Sequence, residues 1–490
     1  MDHCINIEKN GVPDSSGNNL PKGDQTEQGV MDHCINIEKN GVPDSSGNNL
    51  PKSSGVSRDI LIQEIQCLNK KIHGLPPLFP EPCIFKVHEE LRSVNKKAYT
   101  PILVSIGPYH HGNPKLREME EHKLRYLYSL IRRFNIYNND TIISVKPYLL
   151  LMEDLANRAQ SCYANPIYLK RNKFVQMMLL DACFVIEFLR KSCYEELRDK
   201  DDPIFKSSWM EVQIYRDLML VENQLPFFVL SELLNKTHIP DSKYVPLPTM
   251  AVLTPICALL PKSHSEHKMA QLINENETVD ESKHFLDLVH RFYHPSLIEA
   301  SSGREICSQM SCVTELKEAG ISFKVDDSPD SSIFDIKFED GHMKIPNFRV
   351  SDETESFLRN IIAYEQHSSS VKRRYFTDYI WFMDMLINSE KDVNVLRQSG
   401  IMDNMMGDDK GVACMFNKLG DGVMMGSSFH YSDVCKKVND HCGQWWNNAK
   451  ANLRHTYFNN PWASISTAAA GVLLLLTLTQ TAVALIDLLA

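Results

Sequence analysis

The sequence has no excess of positive charge. Its 490 residues hold 52 Lys and Arg against 62 Asp and Glu, a formal net charge of −10, which argues against a protein built mainly to coat nucleic acid. Glycine is sparse, at 21 residues, and charged and hydrophobic fractions of 23% and 43% are ordinary. Those averages exclude a collagen, a wholly disordered chain and a polytopic membrane protein. No signal peptide is recognisable, and the 13 cysteines include no Cys-x-x-Cys pair. An odd number cannot all pair within the chain, so reduced thiols in a cytosolic compartment are expected.

Signatures of chemistry are missing as well. There is no P-loop, GxSxG elbow, HExxH or kinase set, and Gly420-Asp421-Gly422 has Met425 where the third glycine of a dinucleotide fingerprint belongs. His110 and His111 are adjacent, so on an extended segment they point apart. His264 with His267, and His290 with His294, lack companion ligands in register. No catalytic, cofactor-binding or metal residue is assigned, no cofactor is implied, and enzymatic activity is not expected.

What is present is unevenly placed. Residues 463–486 form a run of 24 without a charge, 16 of them hydrophobic. As a helix the run spans about 36 Å, enough to cross a hydrocarbon core of about 30 Å. Met1–Lys22 recurs unchanged as Met31–Lys52; its Gly, Pro, Ser, Asn and Asp offer little to bury, and 1–52 is expected to be disordered. Residues 83–173 carry 15 Lys and Arg against eight Asp and Glu, whereas 174–490 carry 30 against 43. An acidic protein thus contains a basic module. It lacks any RNA- or DNA-module consensus, so no nucleic-acid partner is expected. A solvated helix face accounts for it; docking on an anionic leaflet is the alternative.

The element pattern is mainly helical. Ile60, Ile62, Ile65 and Leu68 sit at helical spacing, followed by a rigid loop with Pro76, Pro77, Pro80 and Pro82. Phe85 to Arg92 and Ala98 to Ile106 read as short extended segments, and Asn113-Pro114 opens a helix with Glu121 and Arg125 four apart. Apolar helices are expected around Tyr148–Leu155, Phe174–Arg190 and Tyr215–Leu234, and others over Glu281–Phe292, Glu353–Glu365 and Asp378–Leu386. Ile321–Val325, Ile333–Phe338 and Met343–Val350 alternate as strands, with Asp340-Gly341 a hairpin turn. Val438, Cys442, Trp445, Trp446, Ala449, Leu453 and Tyr457 line one face of an amphipathic helix, packed on the body or laid in the bilayer interface.

The length suggests about three domains. The expected organisation is a tail over 1–52, a helix and Pro-rich linker over 53–82, and a helical globular domain over 83–433. A juxtamembrane helix over 434–458 and a transmembrane helix over 463–486 follow. The fold class is mainly α (α+β), with a small antiparallel sheet near 321–350. Asp181, Glu187 and Glu222 interrupt apolar helices, and a carboxylate there must be paired or have a raised pKa. Pairing with Arg190, Arg216 or lysines is expected; a paired-carboxylate acid/base site is the alternative.

Several ordered segments carry a resemblance. IFKVHEELR (84–92), KAYTPILVSIGPYHHG (97–112), MEEHKLRYL (119–127), FVQMMLLDACFVIEFLR (174–190) and DLMLVENQLPFFVL (217–230) resemble the plant "domain of unknown function 247" family. TELKEAGISFKV (314–325), FDIKFEDGHMKIP (334–346), TESFLRNIIAYEQ (354–366) and YFNNPWASIS (457–466) complete the match. The resemblance implies a plant-specific, largely helical protein ending in one membrane-spanning helix, without an established activity, cofactor or catalytic residue. Some grass members resemble pollen-side determinants of self-incompatibility. The duplicated N-terminus departs from the pattern and puts the start, Met1 or Met31, in question.

Lys450 and Arg454 precede the apolar run while Asp487 follows it, which places the large N-terminal part in the cytoplasm, with the plasma membrane expected ahead of endomembranes. Asn139, Asn235 and Asn276 head glycosylation sequons that would report the opposite orientation. The function expected is a membrane-anchored component of protein–protein recognition or signalling, with the bilayer at 463–486 and an unidentified protein as partners. The alternative is a membrane-bound enzyme of unrecognised class using the buried carboxylates.

Overall fold

The structure, a computed structural model, describes residues 55–73, 82–137, 143–237, 250, 282–293, 309–328, 331–443 and 461–489. The expected tail, Trp445 and Trp446, the pair His264 and His267, His294, and the sequons at Asn139 and Asn276 lie outside the described residues. The chain divides into two units, Met1–Pro77 and Leu78–Ala490. In the first, the spacing of Ile60, Ile62, Ile65 and Leu68 belongs to helix α1, Gly55–His73.

The second unit is organised around two helices. The longer helices before residue 240 are α2 (Glu118–Tyr137), α3 (Lys146–Ser161), α4 (Arg171–Cys193), α5 (Ser208–Leu218) and α6 (Phe227–Lys236). Seventeen of the 23 residues of α4 are buried, because α2, α3 and α6 all pack against it. Later come α7 (Phe285–Phe292), α8 (Thr354–His367), α9 (Tyr375–Leu386), α10 (Glu390–Gln398), α11 (Asp409–Leu419), α12 (Ser432–Gly443) and α13 (Pro461–Leu489). Among these α8 is central, touching α7, α9 and α11. One continuous apolar core joins both halves.

Strands β1 (Ser322–Asp326), β2 (Lys337–Glu339) and β3 (His342–Pro346) form a sheet in the order β1-β3-β2. The turn Asp340-Gly341 has φ of 49° and 76°, both positive as a tight hairpin requires, and β2 and β3 pair antiparallel as expected. The sheet is nevertheless mixed rather than antiparallel: β1 runs parallel to β3, Phe323 opposite Met343. The expected strand Met343–Val350 also splits, since Pro346 has no N–H to continue the ladder. Beyond it β4 (Phe348–Val350) pairs parallel with β5 (Met402–Asn404).

Three further corrections bear on the site. Residues 89–92, expected to be extended, belong to a short helix, Glu89–Val94, with Glu89 and Glu90 in its first turn, where carboxylates favour the helix dipole. Tyr215–Leu234 is two helices, because Gln224 donates its amide hydrogens to the Leu218 and Leu220 carbonyls at 2.7 and 2.8 Å and Pro226 precedes the first turn of α6. Residues 98–106 are only partly extended. They begin in a 3-10 turn, Lys96–Tyr99, and join no sheet.

Nine cysteines among the described residues are free. Among the described residues no helix is long and apolar enough to cross a membrane. In α13 only 465, 466 and 468–481 have described side chains.

Candidate functional site: a charged cradle beneath residues 99–112

Residues 99–112 run through the body without ladder partners, so their backbone groups must be satisfied otherwise. Side chains do it. Asp217, at the end of α5, accepts the N–H groups of Ile102, Leu103 and Val104 at 3.0, 2.7 and 3.0 Å. Asn223 accepts the Ile106 N–H at 2.7 Å and donates to the Val104 carbonyl at 3.0 Å. Asp181 accepts the Gly107 N–H at 2.8 Å. Lys123 donates to the Ser105 carbonyl at 2.7 Å. A Cβ on Gly107, whose φ is +77°, would lie 2.4 Å from the Gln224 carbonyl oxygen, so only glycine fits there.

The acids expected to be paired are paired. Asp181 meets Lys123 at 2.6 Å, and Glu187 meets Arg133 at 2.6 Å and Arg190 at 3.1 Å. Glu222 is joined to Arg92, lies 3.3 Å from His110 Nε2 and accepts the Val87 N–H at 2.6 Å. The three stand apart, each with its own partners. Arg216 lies instead against Asp217, at 2.9 Å.

The electrostatics follow from these neighbours. Burial alone would raise the Glu222 carboxyl, but His110, Arg92 and the Val87 N–H outweigh it and hold the group below its ordinary value. Burial raises Asp217 in spite of its three N–H donors and Arg216. In the buried Asp181–Lys123 pair, desolvation raises the carboxyl. It would lower the ammonium, yet Asp181 and Glu120 bring that group above its usual value. Three oxygen partners on the ammonium, from Ser105, Glu120 and Asp181, decide for the charged pair.

Arg92, Lys123 and Arg133 belong to the basic module, and Asp181, Glu187 and Glu222 to the acidic remainder. Part of the local positive charge, expected on a solvated face, therefore turns inward as ion pairs.

A plant family described as "plant protein of unknown function", DUF247, matches residues 84–476. This chain belongs to the DUF247 family. Two curated relatives from Arabidopsis thaliana have been compared. "UPF0481 protein At3g47200" is 30% identical, over 83% of this chain and 86% of its own. "Putative UPF0481 protein At3g02645" is 22% identical, over 81% and 89%. No solved structure matches.

In this DUF247 chain the segments 97–112 and 217–230, separate in sequence, are the two halves of the cradle. Asn223 and Gln224, the residues that lock them together, were not singled out by motif. Their signal is two amides directly after Glu222, between Val221 and Leu225 in a mostly apolar stretch. At one edge the cradle opens into a cavity of about 350 Å³ lined by Ser105, His111, Asn113, Leu116, Arg117 and Glu120. The Ser105 hydroxyl and His111 Nδ1 are buried without a hydrogen-bond partner among the described residues. His110 turns toward Glu222 and His111 toward this cavity, so the two adjacent imidazoles do not converge on one ion. No group of three or more His, Cys, Asp or Glu suited to a metal occurs among the described residues. His290 lies 2.9 Å from Glu365.

Proposed function

We propose that this protein is a membrane-anchored recognition component, with α13 in a bilayer and the helical body binding another protein. The observation that carries the anchor is the exposure of α13. Leu473, Leu474, Leu475 and Leu476 are 64%, 66%, 65% and 54% exposed, where burial of each leucine would be worth about 1.5–3 kcal/mol. The hydroxyls of Thr477 and Thr481 donate to the Leu473 and Thr477 carbonyls one turn back, at 2.6 and 2.7 Å. These hydroxyls are thus satisfied within the helix, as lipid requires. The 16 described side chains of α13 are fewer than the about 20 residues of a span, and the uncharged run continues to Ile486 in the sequence.

Flotation of the full chain with liposomes, against a chain lacking 463–490, tests the anchor. Equal flotation of the two would defeat it. The orientation proposed leaves the body cytoplasmic, at the plasma membrane. Asn235 is exposed while its sequon partner Thr237 is buried, the Thr237 hydroxyl donating to the Leu233 carbonyl at 2.9 Å. A glycan there would therefore mean translocation before folding, and a mobility shift on glycosidase treatment would reverse the orientation.

For the recognition half, support comes from the outer face of α2. Leu124, Tyr128 and Ile136 are exposed along a cavity of about 640 Å³ flanked by Arg125 and Arg132. An apolar row framed by these guanidiniums and by the carboxylates of Glu121, Glu196 and Asp199 suits a protein partner. Proximity labelling from the native tissue should lose specific partners in Leu124→Asp/Ile136→Asp; an unchanged labelled set would count against this face. The proposal includes no enzymatic role, and the ion-pairing of Asp181, Glu187 and Glu222 supports that. Their amides should lower stability and function together; lost function at an unchanged melting temperature would revive an acid/base site.

A further inference from the structure

We propose that the cavity between residues 371–378 and 425–430 binds a small soluble phosphate monoester. The cavity measures about 480 Å³, within the range that holds small organic ligands. One wall carries Lys372, Arg373 and Arg374, the longest run of positive charge in the sequence. The opposite wall carries Ser427 and Ser428, and His430 and Asp378 complete it. The lining holds three cations and one acid, with Asp335 and Glu365 acting on His430 and Asp378 from outside it, and a lining of mostly one sign attracts an anion.

Arg374 and His430 are only partly used by the protein. Arg374 spends one long bond of 3.4 Å on the Met424 carbonyl. His430 Nδ1 is buried with no hydrogen-bond partner among the described residues. Its ring is fixed edge-on against Tyr375 and Tyr431, with centroids 5.3 and 4.8 Å apart. Burial, with help from Arg373, lowers its pKa against the pull of Asp335, which favours the neutral imidazole, a ring with one N–H.

The one acid is muted. Asp378 accepts the His430 backbone N–H at 2.8 Å, which ties the two walls together. Burial pushes its carboxyl up to about 7, so part of its charge is lost near neutrality. A carboxylate ligand has two oxygens and is satisfied by one bidentate arginine. Lys372, Arg374, two hydroxyls and an imidazole supply more donors than that, and match the three terminal oxygens of a phosphate monoester.

The test is equilibrium binding of glycerol 3-phosphate to the full chain in detergent, with citrate as the carboxylate control. Saturable one-to-one binding is expected, weakened at least tenfold in Lys372→Gln/Arg374→Gln. Binding should change less than twofold in Lys410→Gln/Lys418→Gln, which removes the same charge from exposed positions outside the cavity. The melting temperatures of both variants should match the parent. Ser427→Ala/Ser428→Ala, which keeps every charge, should weaken binding about threefold. Equal loss in both charge variants, citrate binding as tightly as the monoester, or no saturable binding would overturn the proposal. So would capture only by vesicles containing phosphatidylinositol 4-phosphate, over the same vesicles without it, since the ligand would then be a lipid headgroup.

Discussion

Helices α4 and α13 are both long and apolar nearly all round, yet they end in opposite circumstances. In α4, Asp181, Glu187, Arg190 and Lys191 are buried along with the apolar residues, and each charge has a named partner on another element or a neighbouring turn. In α13, residues 463–486 carry no charge and the described leucines stay exposed. Leucines alone do not choose between protein and lipid, because either medium accepts them. A buried charge does choose, since leaving its partner costs several kcal/mol. The charges that seem to spoil α4 as a hydrophobic helix are what tie it to one position in the core.

Four measurements break or sharpen this contrast. Lys123→Ala should have the largest effect, destabilising the fold by about 3–5 kcal/mol in chemical denaturation, because Asp181 stays buried without its counter-ion. Replacing both, with Lys123→Met and Asp181→Leu, should recover only part of that loss, because the Gly107 N–H and the Ser105 carbonyl lose their partners; full recovery would mean that those two bonds contribute nothing. Leu475→Lys makes the reciprocal change in α13. It should leave denaturation of the body unchanged and weaken membrane insertion by about 2.5–3.5 kcal/mol in a partition assay.

The third concerns pH. Burial of His284 lowers its pKa to about 4, and the neutral ring accepts the Asp287 N–H at Nδ1 while Nε2 faces the Cys83 carbonyl. The unfolded chain takes up this proton near pH 6.5, so stability is lost as pH falls from there toward 4. Asp378, raised to about 7, acts oppositely over the same window because its folded form binds the proton first. An Asp378→Asn background should therefore expose the His284 slope, a loss of about 2 kcal/mol between pH 6.5 and 4.5. Deleting 463–486 should not alter that slope, since that run contains no titratable side chain. Smallest of all, Thr477→Val should change insertion by less than about 0.5 kcal/mol, because the hydroxyl is already satisfied by its own helix.

Much of the helical fold was legible because 3.6-residue periodicity is local: α4 and α8 stand close to where the pattern put them. The hairpin was legible from Asp340-Gly341 for the same reason. The parallel pairing of β1 with β3 was not, since alternation gives a strand its faces but does not give it a neighbour. The division of Tyr215–Leu234 was missed because the carbonyls that end α5 are capped by the Gln224 side chain. The cradle was half legible. Asp181, Glu187 and Glu222 announced themselves as costly acids in apolar helices, whereas Asn223 and Gln224, uncharged, gave no such warning.

By itself the sequence determined where helices form, that an uncharged run stands near the C-terminus, and that the acids in apolar helices needed partners. It determined also that a basic stretch precedes an acidic remainder. Only the tertiary structure decided that these two facts are one: Lys123, Arg133 and Arg92 satisfy Asp181, Glu187 and Glu222 inside the body. The physical reason is that burial sets the cost of an unpaired charge, while the fold alone sets which opposite charge arrives within bonding distance to offset it.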